Sequence, residues 1–273
     1  MTVVSAHKTD TGRVRDHNEV YIWVDEEAGV YIVADGLGGH EAGEVASGLA
    51  ATTVGEMIAA RIAGGAALLS AEAAKELLTD SIETANEKVS AAAEEEKQDQ
   101  RMGTVIVVAL VRPPIVYDIH VGFGRAYFLR PCVAYVSHAG DARAYLARGS
   151  TISLLTEDDS LVAQLVADGA ISEVEAREHP QRNLITKMVG QDSRVQPSFA
   201  EVVLEPGDWL LLCSDGLWDM LDDEAILGHL LKADGDPARA TDALVSAANL
   251  AGGKDNISVI AIRLLSTGGE GGA

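Results

Sequence analysis

Apolar residues come in short blocks along this chain, and the spacing inside each block changes with position. Thr2 to His7 reads as a strand, closed by the turn residues Thr9-Asp10-Thr11-Gly12. Tyr21 to Val24 and Val30 to Val33 flank Asp25 to Gly29, the pattern of a hairpin. The period then lengthens. Leu49, Thr53, Met57 and Ala60 recur at helical spacing within Ala42 to Ala63, and Gly64-Gly65 stops the run. Ser70 caps a second predicted helix, Ala71 to about Glu96, with Leu78, Ile82, Ala85 and Val89 on one face.

Beyond it the blocks shorten again. Thr104 to Val111 is a continuous apolar strand ended by Pro113-Pro114, and Ile115 to Val121 alternates as a half-buried strand does. Ala126 to Arg130, Val133 to His138 and Ala144 to Arg148 are further strands. Leu161 to Ala167 and Glu173 to Glu178 predict short helices. Phe199 to Leu204 and Trp209 to Cys213 predict strands, joined by Glu205-Pro206-Gly207-Asp208. Asp222 to Leu231 and Pro237 to Leu250 are helical, and Ile257 to Leu264 is the last strand. Strands in runs, with helices in two paired blocks, give an α+β class: stacked sheets covered by helices outside. With no fixed-period repeat and no clear linker, residues 1–265 read as a single domain, followed by a Gly-rich flexible tail, 266–273.

Aromatic residues are only 4%, so the core must rest on Ala, Val, Leu and Ile. The net charge of −21, from 42 acids against 21 bases, argues against nucleic-acid and anionic-membrane partners. It also repels phosphate, unless bound cations reverse the local sign. Cys132 and Cys213 lack metal-ligand spacing, which suggests a reduced, intracellular protein. Nothing resembles a secretory leader or a run of ~20 apolar residues, so a soluble cytoplasmic protein is expected.

The acids at the ends of the apolar strands are the candidate chemistry. Asp35-Gly36 follows Val30 to Val33, inside a glycine-rich stretch that runs on through Gly38, Gly39 and Gly43. Asp215-Gly216 follows Trp209 to Cys213, Asp255 precedes the last strand, Asp141 lies between two strands, and Glu19 precedes the first hairpin. Taken singly, each reads as a turn residue. If the sheets gather them, the all-oxygen donor set suits Mg²⁺ or Mn²⁺ rather than zinc. Spacing alone leaves that convergence open.

Taken in order, Arg15-Asp16-His17-Asn18-Glu19, Ala34-Asp35-Gly36-Leu37-Gly38-Gly39-His40, Gly103-Thr104, Gly140-Asp141-Ala142-Arg143, Leu155-Thr156-Glu157-Asp158, Ser214-Asp215-Gly216-Leu217-Trp218-Asp219 and Asp255-Asn256 resemble the metal-dependent Ser/Thr protein phosphatases of type 2C (the PPM family), in their short bacterial form. The resemblance runs from about Ser5 to Leu264. It implies a four-layer α-β-β-α sandwich of two mainly antiparallel sheets flanked by helix pairs, with two Mn²⁺ or Mg²⁺ ions per subunit at one edge. By position it implies that Asp35 bridges the metals, that the Gly36 carbonyl binds one, and that Asp215 and Asp255 hold the other. Glu19 would contact a metal through water. Asp141, with Asp215 and Asp219, would form a third, weaker site.

The resemblance further implies that Arg15 grips the substrate phosphate while water activated by the metals attacks phosphorus in line. His40 is a candidate acid for the leaving serine or threonine. It reads equally as a loop histidine shaping the cleft. Asp219 reads equally as a cap, Arg143 as a partner for a strand-edge acid, and Asn256 as a turn residue. The implied substrates are phosphoproteins, and the implied partner is a bacterial-type Ser/Thr kinase or its targets. The segment Thr156 to Gly190 matches the family's flap.

Three positions depart from the family pattern. Val20 stands where Asp usually follows Glu19, Asp159 where His is common, and Val105 where a second Thr follows Thr104. The stretch Arg112 to Arg130 exceeds the usual hairpin, enough for an added strand pair. Val20 is what a non-catalytic pseudophosphatase would rest on. A partner-switching phosphatase acting on antagonists of anti-sigma factors would share the chemistry, but the chain carries no sensor segment.

Overall fold

A computed structural model describes residues 2–38, 41–65, 69–95, 102–121 and 124–266. Its strands are β1 (Thr2–Asp10), β2 (Val20–Asp25), β3 (Val30–Leu37), β4 (Gly103–Arg112), β5 (Ile115–Val121), β6 (Gly124–Arg130), β7 (Cys132–Ala139), β8 (Arg143–Arg148), β9 (Thr151–Leu154), β10 (Ser198–Leu204), β11 (Trp209–Cys213) and β12 (Ile257–Leu265). Its helices are α1 (Glu41–Ala63), α2 (Ala71–Glu95), α3 (Leu161–Ala167), α4 (Glu173–Glu178), α5 (Asp215–Trp218), α6 (Asp223–Lys232) and α7 (Pro237–Leu250).

One five-stranded sheet runs β1-β12-β11-β8-β9 and the other β10-β7-β4-β3-β2, every pairing antiparallel. Two-residue alternation along the strands builds three separate cores. On β3, Val30, Ile32 and Ala34 pack with α1 and α2, whereas Tyr31 and Val33 enter the layer between the sheets. On β12, Ile260, Ile262 and Leu264 face that same layer, while Ile257, Val259 and Ala261 pack with α6 and α7. The result is the helix-sheet-sheet-helix order expected from the resemblance.

Two expectations need correction. The apolar block Val30 to Val33 does not end its strand at the acid: β3 runs to Leu37, with Asp35 paired to Val20 on one side and Val105 on the other. The Asp35 backbone is therefore locked in a ladder rather than carried on a turn. Second, β9 has no counterpart in the predicted strands. Its four residues, directly after the Gly149-Ser150 turn, are too few to show a period. The added strand pair is present: β5 and β6 pair only with each other and join neither large sheet.

Register places the acids together. Asp35 lies near the end of β3, Glu19 just before β2, and Val20 pairs with Asp35. Arg143 and Val259 both pair with Cys213, so Asp141 before β8, Asp215 after β11 and Asp255 before β12 share one end of the second sheet. Leu212 has no exposed surface and sits in the layer between the sheets. Leu212→Ala is expected to cost about 2–5 kcal/mol of stability, read as a lower denaturant midpoint at unchanged slope.

Candidate metal centre

Close backbone approach shapes the acidic end. Gly36 Nα donates to the Glu19 carbonyl at 3.1 Å, and a Cβ on Gly36 would run into the Gly43 carbonyl in the first turn of α1. A Cβ on Gly43 would in turn strike the Glu19 carboxylate. Only glycine lets β3, α1 and Glu19 meet this tightly. Thr104 Oγ1 donates to the Asp35 carbonyl at 2.7 Å, and Ser47 Oγ to the Glu19 carbonyl at 2.6 Å.

Asn256 ties the other loops in. Its Oδ1 accepts from Glu19 Nα at 2.8 Å, and its Nδ2 donates to the Thr11 and His17 carbonyls at 2.9 and 2.8 Å. Its own carbonyl accepts from Ser214 Oγ at 2.9 Å, and a Cβ on Gly216 would strike that carbonyl. One buried amide thus fixes the loop of Arg15 and Glu19 against the loops of Asp215 and Asp255. On the far side, Trp218 Nε1 donates to the Asp141 carbonyl at 3.1 Å. Arg143 stacks on the Trp218 ring at 3.8 Å and holds Asp158 with two hydrogen bonds, 2.9 and 2.7 Å.

Asp35 and Asp215 keep only part of their surface, on the floor of this cleft. Crowding by protein atoms raises the Asp35 carboxyl well above the usual range, helped by the charges of Asp215, Asp255, Asp141 and Glu19. Asp215 is raised likewise, first by burial, then by Asp141, Asp255 and Asp219. Burial, with Asp158 nearby, pushes Asp141 up to about 7. Asp215 Oδ1 is buried with no hydrogen-bond partner. Arg143 offsets part of the rise at Asp141, and Arg15 pairs with Asp255 at 2.6 Å from the exposed rim.

Among the described residues, no three His, Cys, Asp or Glu side chains enclose one point as a closed cage would. The end of the sandwich instead gathers the carboxylates of Asp35, Asp141, Asp215, Asp255 and Glu19, with one orphaned oxygen and a surplus of negative charge. That fits hard divalent cations that retain water.

A model of the Protein phosphatase 2C family matches residues 6–243. The chain belongs to the protein phosphatase 2C family. It is 34% identical over 259 residues to the "Serine/threonine phosphatase stp" of Listeria innocua, spanning 93% of both proteins. The S. agalactiae serine/threonine phosphatase superposes with a TM-score of 0.80 at 31% identity, over 96% of this chain and 100% of that one. The catalytic domain of the serine threonine protein phosphatase PstP, solved in complex with two manganese ions, superposes at 0.77 with 29% identity, over 97% and 99%. As a member of this family the chain is a metal-dependent protein serine/threonine phosphatase.

The structure brings Arg15, Glu19, Asp35, Gly36, Asp141, Asp215 and Asp255 to one end of the sandwich. Asp219 lies near Asp215 but is held by Arg182 at 2.9 and 3.3 Å. His40 lies outside the described residues. Val20 is buried between the sheets, so no acid follows Glu19 here. In the sequence Asn256 stands in the last matching motif but reads equally as a turn residue, and Arg182 carries no motif. The Asn256 contacts span more than 230 residues of chain, which no local pattern encodes.

For Asp141, a folded pKa near 7 against ~3.9 unfolded means the protonated form favours the fold. Its contribution is present below pH ~4 and lost as pH rises through ~7. In chelator, Asp141→Asn should therefore gain stability over the wild type across that window, by at most roughly 4 kcal/mol. Denaturant unfolding at several pH values measures it; a difference that stays flat with pH would contradict the charge assignment.

Proposed function

We propose that this cleft is the catalytic site of a phosphatase that hydrolyses phosphoserine and phosphothreonine monoesters on proteins. Asp35, the Gly36 carbonyl, Asp215 and Asp255 would hold two Mn²⁺ or Mg²⁺ ions, with Glu19 acting through water. Asp141 and Asp219 would serve a third, weaker site. What carries the reading is the orphaned Asp215 oxygen within a group of crowded acids, where Arg15 pairs with Asp255 only from the rim. Bound cations would supply Lewis-acid charge and lower the pKa of water.

The chain's own groups do the rest. Arg15 is more than half exposed and bonded on one side to Asp255, so the remainder of its fork is placed to meet phosphate oxygens in pairs. Asp255 and Glu19 reinforce its charge. Gly36 and Gly43 bring backbone to the floor of the cleft where no side chain fits. Burial pushes the Cys132 thiol up to about 11 and the Cys213 thiol higher still, which leaves no thiolate for a covalent route.

The domain would span residues 1–265. Its substrates would be phosphoproteins made by a bacterial-type Ser/Thr kinase. The names of the Listeria and S. agalactiae relatives support this substrate class. No described helix is long and apolar enough to cross a membrane, in keeping with a cytoplasmic setting.

The test is hydrolysis of a phosphothreonine peptide with and without Mn²⁺. Turnover should require the metal. Asp35→Asn should lower kcat/KM by about 10²–10³-fold or more, and Arg15→Ala should raise KM by about tenfold. Turnover that persists in Asp35→Asn, or none from folded wild type at saturating Mn²⁺, would defeat the proposal.

A further inference from the structure

Two departures from the family pattern, Asp159 and Val105, meet at Gly140, the residue before Asp141. Gly140 has φ +109°, and a Cβ there would collide with the Val105 side chain. Both of its backbone polar groups go to one partner. Asp159 Nα donates to the Gly140 carbonyl at 2.9 Å, and Asp159 Oδ2 accepts from Gly140 Nα at 3.1 Å. The other carboxylate oxygen, Oδ1, pairs with Lys187 at 2.7 Å, and the Asp159 carbonyl accepts from Thr186 Nα at 2.8 Å.

The segment between residues 159 and 187 carries α3 and α4, so its two ends are fastened to each other and to Gly140 at one residue, by the backbone and the carboxylate of Asp159. A neutral side chain could accept from Gly140 Nα but could not also form an ion pair with Lys187. A carboxylate does both, and its charge strengthens each bond. Trp218 holds the Asp141 carbonyl itself, whereas Asp159 holds the preceding residue, Gly140, and reaches across to the α3–α4 segment's return at Lys187.

We propose that Asp159 is a positioning residue for Asp141, tying the α3–α4 segment to the acidic floor through Gly140. The proposal rests on the reading of Asp141 as part of the cation site, and its first readout needs no metal. Hydrogen exchange at the Gly140 amide should be about tenfold faster in Asp159→Ala than in the wild type. Asp159→Asn keeps an oxygen for Gly140 Nα, so it should exchange near the wild-type rate. Lys187→Met should leave Gly140 protected while amides within residues 160–186 exchange faster.

The second readout is catalytic. Asp159→Ala should need several-fold more Mn²⁺ for half-maximal turnover of a phosphothreonine peptide, and Asp159→Asn should restore the wild-type requirement. Unchanged Gly140 exchange in Asp159→Ala would overturn the proposal, as would Asp159→Asn falling as far as Ala at equal thermal stability. Faster exchange with an unchanged Mn²⁺ requirement would uphold the clamp and count against Asp141 as a cation ligand.

Discussion

Carboxylates gathered in a crowded cleft repel one another and lose water, and both effects oppose ionisation. The acidic end of this sandwich is built around that cost. Asp35, Asp141 and Asp215 are all raised above the usual carboxylate range by it, and Arg15 sits on the rim next to Asp255. A site arranged this way is incomplete as protein alone. Divalent cations would complete it, and the same charge would then offset the chain's −21 field for an incoming phosphate.

The surrounding fold holds the acids in place despite their repulsion. The Asp35 backbone is bonded into β2 and β4, which fixes it through the ladder rather than through its side chain. Glycines at 36, 43 and 216 let neighbouring loops touch backbone to backbone, and Asn256 fastens two of those loops at once. On the other flank, the Arg143–Trp218 stack and the paired acids Asp158 and Asp159 fix the strand turn that carries Asp141. Rigid sheets thus supply the geometry, and the loops supply charge.

Much of this was legible in the sequence because it repeats local rules. Apolar alternation marked the stacked sheets with helices outside, and the Asp-Gly pairs after apolar runs marked two of the gathered acids. What escaped was non-local. Asn256 looked like a turn residue because its partners at Thr11, His17 and Glu19 lie at the other end of the chain. Arg182 gave no local sign of its pairing with Asp219, 37 residues on. The four-residue β9 showed no period because a period needs length.

The most direct test of the central claim is calorimetric titration of the metal-free protein with Mn²⁺ at pH 6.5, in two buffers of different ionisation enthalpy. Asp141, raised to about 7, keeps a share of its proton at that pH, Asp35 and Asp215 are raised as well, and cations would displace protons from these carboxyls. The account predicts saturable binding with a net release of protons. Binding with no proton release, or no saturable binding at all, would contradict it.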